Sequence, residues 1–141
     1  MEIKFSFILN TEIPTGLAYT AYKEGYIEGA LKIYLNGNVF FDEPYINLAE
    51  FGIQLGKWIQ KIQSGLRENM DYETIDHNEA IINFKYTADE YWFIYSIWQI
   101  FESDEYIETN SLVKAVKDFI KELNKELLEI NYIVTLDKFI D

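Results

Sequence analysis

Cysteine is absent from the chain, which excludes disulfides, thiolate nucleophiles and cysteine-ligated zinc together, and with them a disulfide-stapled secreted scaffold. A cytoplasmic location is the expectation that follows. Histidine occurs once, at His77, so a two-histidine metal site and any HExxH pattern are excluded. Nucleophile elbows of the GxSxG form, the GxxxxGKS/T phosphate loop and the GxGxxG dinucleotide turn are all missing. No run approaches the ~18 apolar residues of a spanning helix, and Met1 to Asn10 alternates polar and apolar residues instead of placing a basic patch before an apolar stretch. Neither an export signal nor a membrane anchor is therefore expected.

Two fragments come near to catalytic or metal chemistry. His77 lies in Asp76-His77-Asn78-Glu79, where a lone loop histidine beside acids reads as ordinary surface. Asp71 to Asp76 places oxygen ligands at alternate positions, but it lacks the sixth-place glycine and the terminal glutamate of an EF-hand loop. A glycosidase-like acid pair depends on separation in space and cannot be read by counting carboxylates. We assign no catalytic residue, no metal ligand and no cofactor, and read the chain as a non-enzyme.

What is present is apolar and acidic. With 141 residues, 49% hydrophobic and 17% aromatic, the chain supports a single α+β domain over residues 1–141 with a core that needs no staples. Twenty-four acids against twelve bases give a formal charge of −12 and a pI near 4.4. Such a surface repels phosphate backbones and anionic membranes, so neither nucleic acid nor membrane is an expected partner. The acidity has two readings, solubility alone or a docking face for a basic protein.

Hydrophobic periodicity organises the rest. Ile3, Phe5, Phe7 and Leu9 alternate with polar neighbours as a half-buried strand. Asn10 to Gly25 reads as a loop, with a short extended piece around Leu17 to Tyr22. Tyr26 to Leu35 and Asn38 to Phe41 flank Asn36-Gly37, the pair suited to a type I′ hairpin, which Asp42-Glu43-Pro44 ends. Asn47 to Gln63 follows as a helix with Asn47 and Glu50 at capping-box spacing; its Gly52 and Gly56 call for close packing on a sheet. A strand through Tyr72 to Ile75 leads into a second hairpin, Ala80 to Tyr86 and Glu90 to Phe101. A second helix, capped by Asn110 or Ser111, carries Leu112, Val116, Phe119, Ile120, Leu123 and Leu127 on one face. Tyr132 to Asp141 adds a last strand or lies on the surface. The order of elements predicts an antiparallel sheet of about five or six strands with two helices packed on one face.

The second hairpin is bracketed by acids: Glu68, Asp71, Glu73, Asp76 and Glu79 before it, and Glu102, Asp104, Glu105 and Glu108 after it. Flanking the same pair of strands, the two clusters are expected near one another at one sheet edge, with Tyr72, Trp92, Trp98 and Tyr106 interspersed. These thirteen residues form the candidate partner-binding site, because charge steers the encounter while aromatics supply affinity. Tyr91, Phe93, Tyr95 and Ile97 alternate with Trp92, Ile94, Ser96 and Trp98, so this strand is either covered on both sides or exposes one aromatic face.

Size, acidity, the predicted sheet with two helices, the missing catalytic set and aromatic runs such as Tyr91-Trp92-Phe93-Ile94-Tyr95 resemble the small acidic immunity proteins of bacterial polymorphic-toxin systems. One Arg against eleven Lys, with abundant Ile, Asn and Tyr, looks like the product of an AT-rich bacterial genome. The resemblance implies binding to a cognate toxin domain, often a basic nuclease, and blocking of its active site in the producing cell. Two other classes stay open. One is a small-molecule-binding domain or minor enzyme using the aromatic strand face. The other is an acidic secretion chaperone, which a helix over Met1 to Leu9 would favour. The oligomeric state is left open.

Overall fold

A computed structural model describes residues 1–73 and 79–140. Ile3–Leu9 form β1, with Ile3, Phe5 and Leu9 buried, so Met1 to Leu9 carries a strand and not a helix. Glu28–Leu35 (β2) and Asn38–Asn47 (β3) make the first hairpin around Asn36 and Gly37, whose φ angles of 50° and 82° satisfy the two positive values of a type I′ turn. β3 continues through Asp42-Glu43-Pro44 where the sequence led us to expect its end. A proline without an N–H is tolerated there because β3 is the edge of a sheet ordered β1-β2-β3.

Leu17–Lys23 forms a helix, α1, in place of the expected extended piece. Its Leu, Ala and Lys favour helix, and none of its residues is buried, so no sheet environment competes with local propensity. α2 spans Leu48–Gln63; the Asn47 side chain accepts from the Glu50 N–H at 3.3 Å as its cap. Met70–Tyr72 (β4), Ile82–Ala88 (β5), Tyr91–Ser96 (β6) and Ile107–Glu108 (β7) form a second antiparallel sheet in that order. α3 spans Thr109–Glu129 with Glu108 at its N-cap, earlier than the Asn110 or Ser111 cap we expected and without a side-chain cap bond. Pairing of Glu108 with Tyr91 in β7 extends the ordered backbone up to the helix and leaves no room for a cap at 110.

In place of the expected single sheet of five or six strands with two helices, the described residues form two antiparallel sheets, of three and four strands, with three α-helices. β6 stops at Ser96 because the side chains beyond it satisfy the backbone locally: Ser96 N–H donates to Gln99 Oε1 at 3.1 Å, and Trp98 N–H to Ser96 Oγ at 3.0 Å. The chain then crosses to the first sheet, where Ile100 N–H donates to the Phe40 carbonyl at 2.8 Å and Phe101 packs edge-on against Phe40.

One core serves both sheets. Phe5 of β1 lies 6.2 Å from Phe51 of α2, 6.4 Å from Phe84 of β5 and 5.6 Å from Phe119 of α3. Trp58 of α2 stacks on Phe84 and meets Trp92 of β6 edge-on. α2 and α3 thus cover one shared face. Gly52 and Gly56 do permit a close approach, but to Leu123 and Leu136 and to Phe139 respectively instead of to a sheet. Leu136 and Phe139 belong to the C-terminal segment, which is neither a strand nor a surface tail: a 3₁₀ turn at Asp137–Phe139 packs it under the helices. Tyr132 anchors this segment by donating its hydroxyl to the Tyr22 carbonyl at 2.8 Å, and burial first, then nearby Tyr22, pushes its phenol up to about 12.

Candidate functional site

β6 has two unlike faces. Trp92, Ile94 and Ser96 point into the core, and Trp92 is fully buried with its indole N–H donated to Thr109 Oγ1 at 2.8 Å. Tyr91, Phe93 and Tyr95 take the opposite phase, on the sheet face away from the helices, with Tyr91 40% and Tyr95 42% exposed. Phe93 stacks on Tyr95 at 6.3 Å and meets Tyr106 edge-on at 6.0 Å, while Tyr106 and Ile97 extend the exposed apolar surface. The register sets Lys85 of β5 opposite Phe93, Asn83 opposite Tyr95, and Glu108 of β7 opposite Tyr91. On the far side, Asp71 of β4 pairs with Asn83. The aromatic row therefore lies between carboxylates at both edges of its sheet.

The acid clusters do not meet at one edge as expected. β4 and β7 are the opposite edges of the four-stranded sheet, roughly 14 Å apart at the usual strand spacing. The intervening chain pairs β5 with β6, and each added strand carries the flanking acids further apart. On the β7 side Glu102, Asp104, Glu105 and Glu108 are exposed, and the buried Ser103 holds this loop by donating to the Glu105 carbonyl at 2.9 Å. Glu105 in turn accepts from Asn36 Nδ2 at 2.9 Å, tying the acidic loop to the first hairpin. On the β4 side Glu68 is paired with Lys61 at 3.1 Å, the Glu73 carbonyl accepts from Gln54, and Glu79 is exposed. Asp76 and His77 lie outside the described residues.

Two of the expected aromatic contacts are structural. Tyr72 is fully buried, 4.8 Å from Phe51, with its hydroxyl donated to the Asn47 carbonyl, and Trp92 fills the core between Trp58 and Tyr86. Neither can touch a partner. Trp98 is half-buried against Phe41, and Tyr106 is exposed beside Phe93. Tyr91, Phe93 and Tyr95 take the places we gave to Trp92 and Tyr72. A signal for this was available: hydroxyl-bearing rings at positions 91 and 95 mark the wet phase of a strand whose other phase holds Trp and Ile.

Electrostatics beside the face are ordered by one bidentate pair. Arg67 donates through Nε and Nη2 to both Glu90 oxygens at 2.7 Å, at the turn joining β5 to β6. That donation holds the Glu90 carboxyl below the ordinary carboxylate range. Among the described residues no three His, Cys, Asp or Glu side chains converge to hold a metal ion, and no helix is long and apolar enough to cross a membrane.

Fold and face together describe an α+β domain of two antiparallel sheets around one core, presenting an aromatic strand between acidic edges. Residues 5–129 match the family described as Domain of unknown function (DUF7878), and the chain belongs to that family. No curated protein and no solved structure matches the chain.

Proposed function

We propose that this chain is a non-catalytic protein-binding domain that receives a basic partner on the outer face of β6. The observation that carries the reading is the row of exposed Tyr91 and Tyr95 with half-buried Phe93 between them, on a sheet face whose two edges bear Asp71 and Glu108. Large rings that leave water on binding supply affinity, and surrounding carboxylates steer a basic surface towards them. With a formal charge of −12, nucleic acid and anionic lipid are poor candidates for this face.

The biological role that fits this chemistry is immunity: neutralising a cognate, basic, nuclease-like toxin in the cytoplasm of a bacterial producing cell. Co-expression with the toxin-like protein encoded beside its gene is the test. A stable complex and rescued growth support the role, whereas a toxic neighbour that neither binds nor is silenced contradicts it. The small-molecule reading used the aromatic strand face, whose two tryptophans divide: Trp92 lies in the core and Trp98 is half-buried. A helix over Met1 to Leu9 would have favoured the secretion-chaperone reading, and β1 stands there instead.

A further inference from the structure

The four sheet edges are protected unequally. β3 carries register irregularities and Pro44, and it accepts Ile100 at Phe40. β4 has three residues and β7 two, and β7 runs directly into α3. These are the devices by which sheets discourage strand addition. β1 has none of them: its seven residues pair with β2 in unbroken register from Ile3–Leu35 to Leu9–Gly29.

The direction of its free groups follows from two flanking bonds. Asn36 N–H donates to the Glu2 carbonyl, and Asn10 N–H to the Glu28 carbonyl, so even-numbered residues of β1 exchange hydrogen bonds with β2. Ile3, Phe5 and Phe7 consequently turn their N–H and C=O groups outward, where no described residue meets them. Outside that edge lies a groove of about 770 Å³ between β1 and one stripe of α3, Ser111, Ala115, Asp118, Glu122 and Glu126. Phe7 and Phe119, packed edge-on at 5.5 Å, give the groove an apolar lining.

We propose that this edge accepts an extended segment of a partner protein carrying lysine or arginine at alternate positions, as an added fourth strand of the first sheet. An added strand would sit roughly 4.8 Å from β1 and turn every second side chain towards α3. The charges there select a cation. Glu2, Asp118, Glu122 and Glu126 line the groove together with Lys4, Lys114 and Met1; Lys114 is held by Asp118 at 2.8 Å and Lys4 takes the exposed phase of β1, which leaves Glu122 and Glu126 as the carboxylates on the α3 side. Burial, then Glu129 and Glu122, push the Glu126 carboxyl above its ordinary range despite neighbouring Lys125, and an incoming cation would relieve that crowding. A second copy of this chain would instead bring the same acids and a further charge of −12. The proposal is independent of the aromatic face, although the two surfaces adjoin where the Met1 nitrogen donates to the Tyr106 carbonyl at 3.4 Å.

The test is amide hydrogen exchange, read by NMR on the whole chain, with three synthetic peptides: alternating valine and lysine, alternating valine and glutamate, and the lysine peptide N-methylated at alternate residues. The lysine peptide should slow exchange at Ile3, Phe5 and Phe7 by about tenfold or more, and the other two should not. Asp118→Lys with Glu122→Lys, both at exposed positions, should weaken the lysine peptide by about tenfold while the spectrum keeps its fold. Unchanged exchange at those three amides, equal protection by the glutamate peptide, or indifference to the charge reversal would each overturn the proposal. So would protection that grows with protein concentration in the absence of peptide, which would assign the edge to a second copy.

Discussion

The two faces of β6 are built from the same kinds of residue and do opposite work. Inward, Trp92 and Ile94 are excluded from water, and the one polar group Trp92 carries is satisfied by Thr109. Outward, Tyr91 and Tyr95 remain about two-fifths exposed, with Phe93 and Tyr106 packed beside them in an apolar surface framed by acids. Hydrophobicity alone does not distinguish these faces. The difference lies in what covers them: Trp58 of α2 closes the inner face, while Tyr91 and Tyr95 on the outer face stay open to solvent.

The largest expected effect is on the inner face. Trp92→Ala should destabilise the fold by about 3 to 5 kcal/mol, measured by denaturant unfolding, because it opens a cavity and removes the indole donor to Thr109 Oγ1. A change within experimental error would mean that the two faces are interchangeable. Tyr91→Ala and Tyr95→Ala should leave stability within about 0.5 kcal/mol, yet each should cost about 2 kcal/mol of binding to the partner, or about thirtyfold in Kd. Stability losses comparable to that of Trp92→Ala would erase the contrast.

Charge should act more weakly and mainly on rate. Replacing Glu102, Asp104, Glu105 and Glu108 with their amides should slow association several-fold and flatten its salt dependence, read by stopped-flow, with little change in unfolding. The smallest expected effect concerns the turn at which the two faces meet. Because Arg67 holds the folded Glu90 carboxyl below its unfolded value, the pair stabilises the fold at neutral pH, and that contribution disappears as pH falls through the depressed value. Thermal unfolding of Glu90→Gln should show lower stability than the parent at pH 7 and a smaller loss of stability on acidification.

Local chemistry made much of the fold legible. Asn36-Gly37 announced its hairpin, Asn47 with Glu50 its helix start, and the 3.6-residue spacing of Leu112 to Leu127 its buried stripe. Three things depended on tertiary structure. The division into two sheets follows from Ser96 and Gln99 satisfying the backbone beyond β6. The packing role of the C-terminal segment follows from the space that Gly52 and Gly56 leave for Leu136 and Phe139. The separation of the acid clusters follows from β4 and β7 taking opposite edges, an order that strand periodicity does not encode. On β6 the alternation was readable but not its direction, which is why Trp92 stood in the candidate site in place of Tyr91 and Tyr95.

The open edge of β1 sharpens the contrast further. A face of side chains offers affinity through burial, whereas an edge of backbone groups offers register, and this chain presents both within reach of the same acidic loop. The most direct measurement of the central claim is isothermal titration of the proposed partner, a basic toxin-like protein, against the parent chain and against Tyr95→Ala. The account predicts a complex with the parent and about thirtyfold weaker binding to the folded variant. Equal affinity for the two would contradict it.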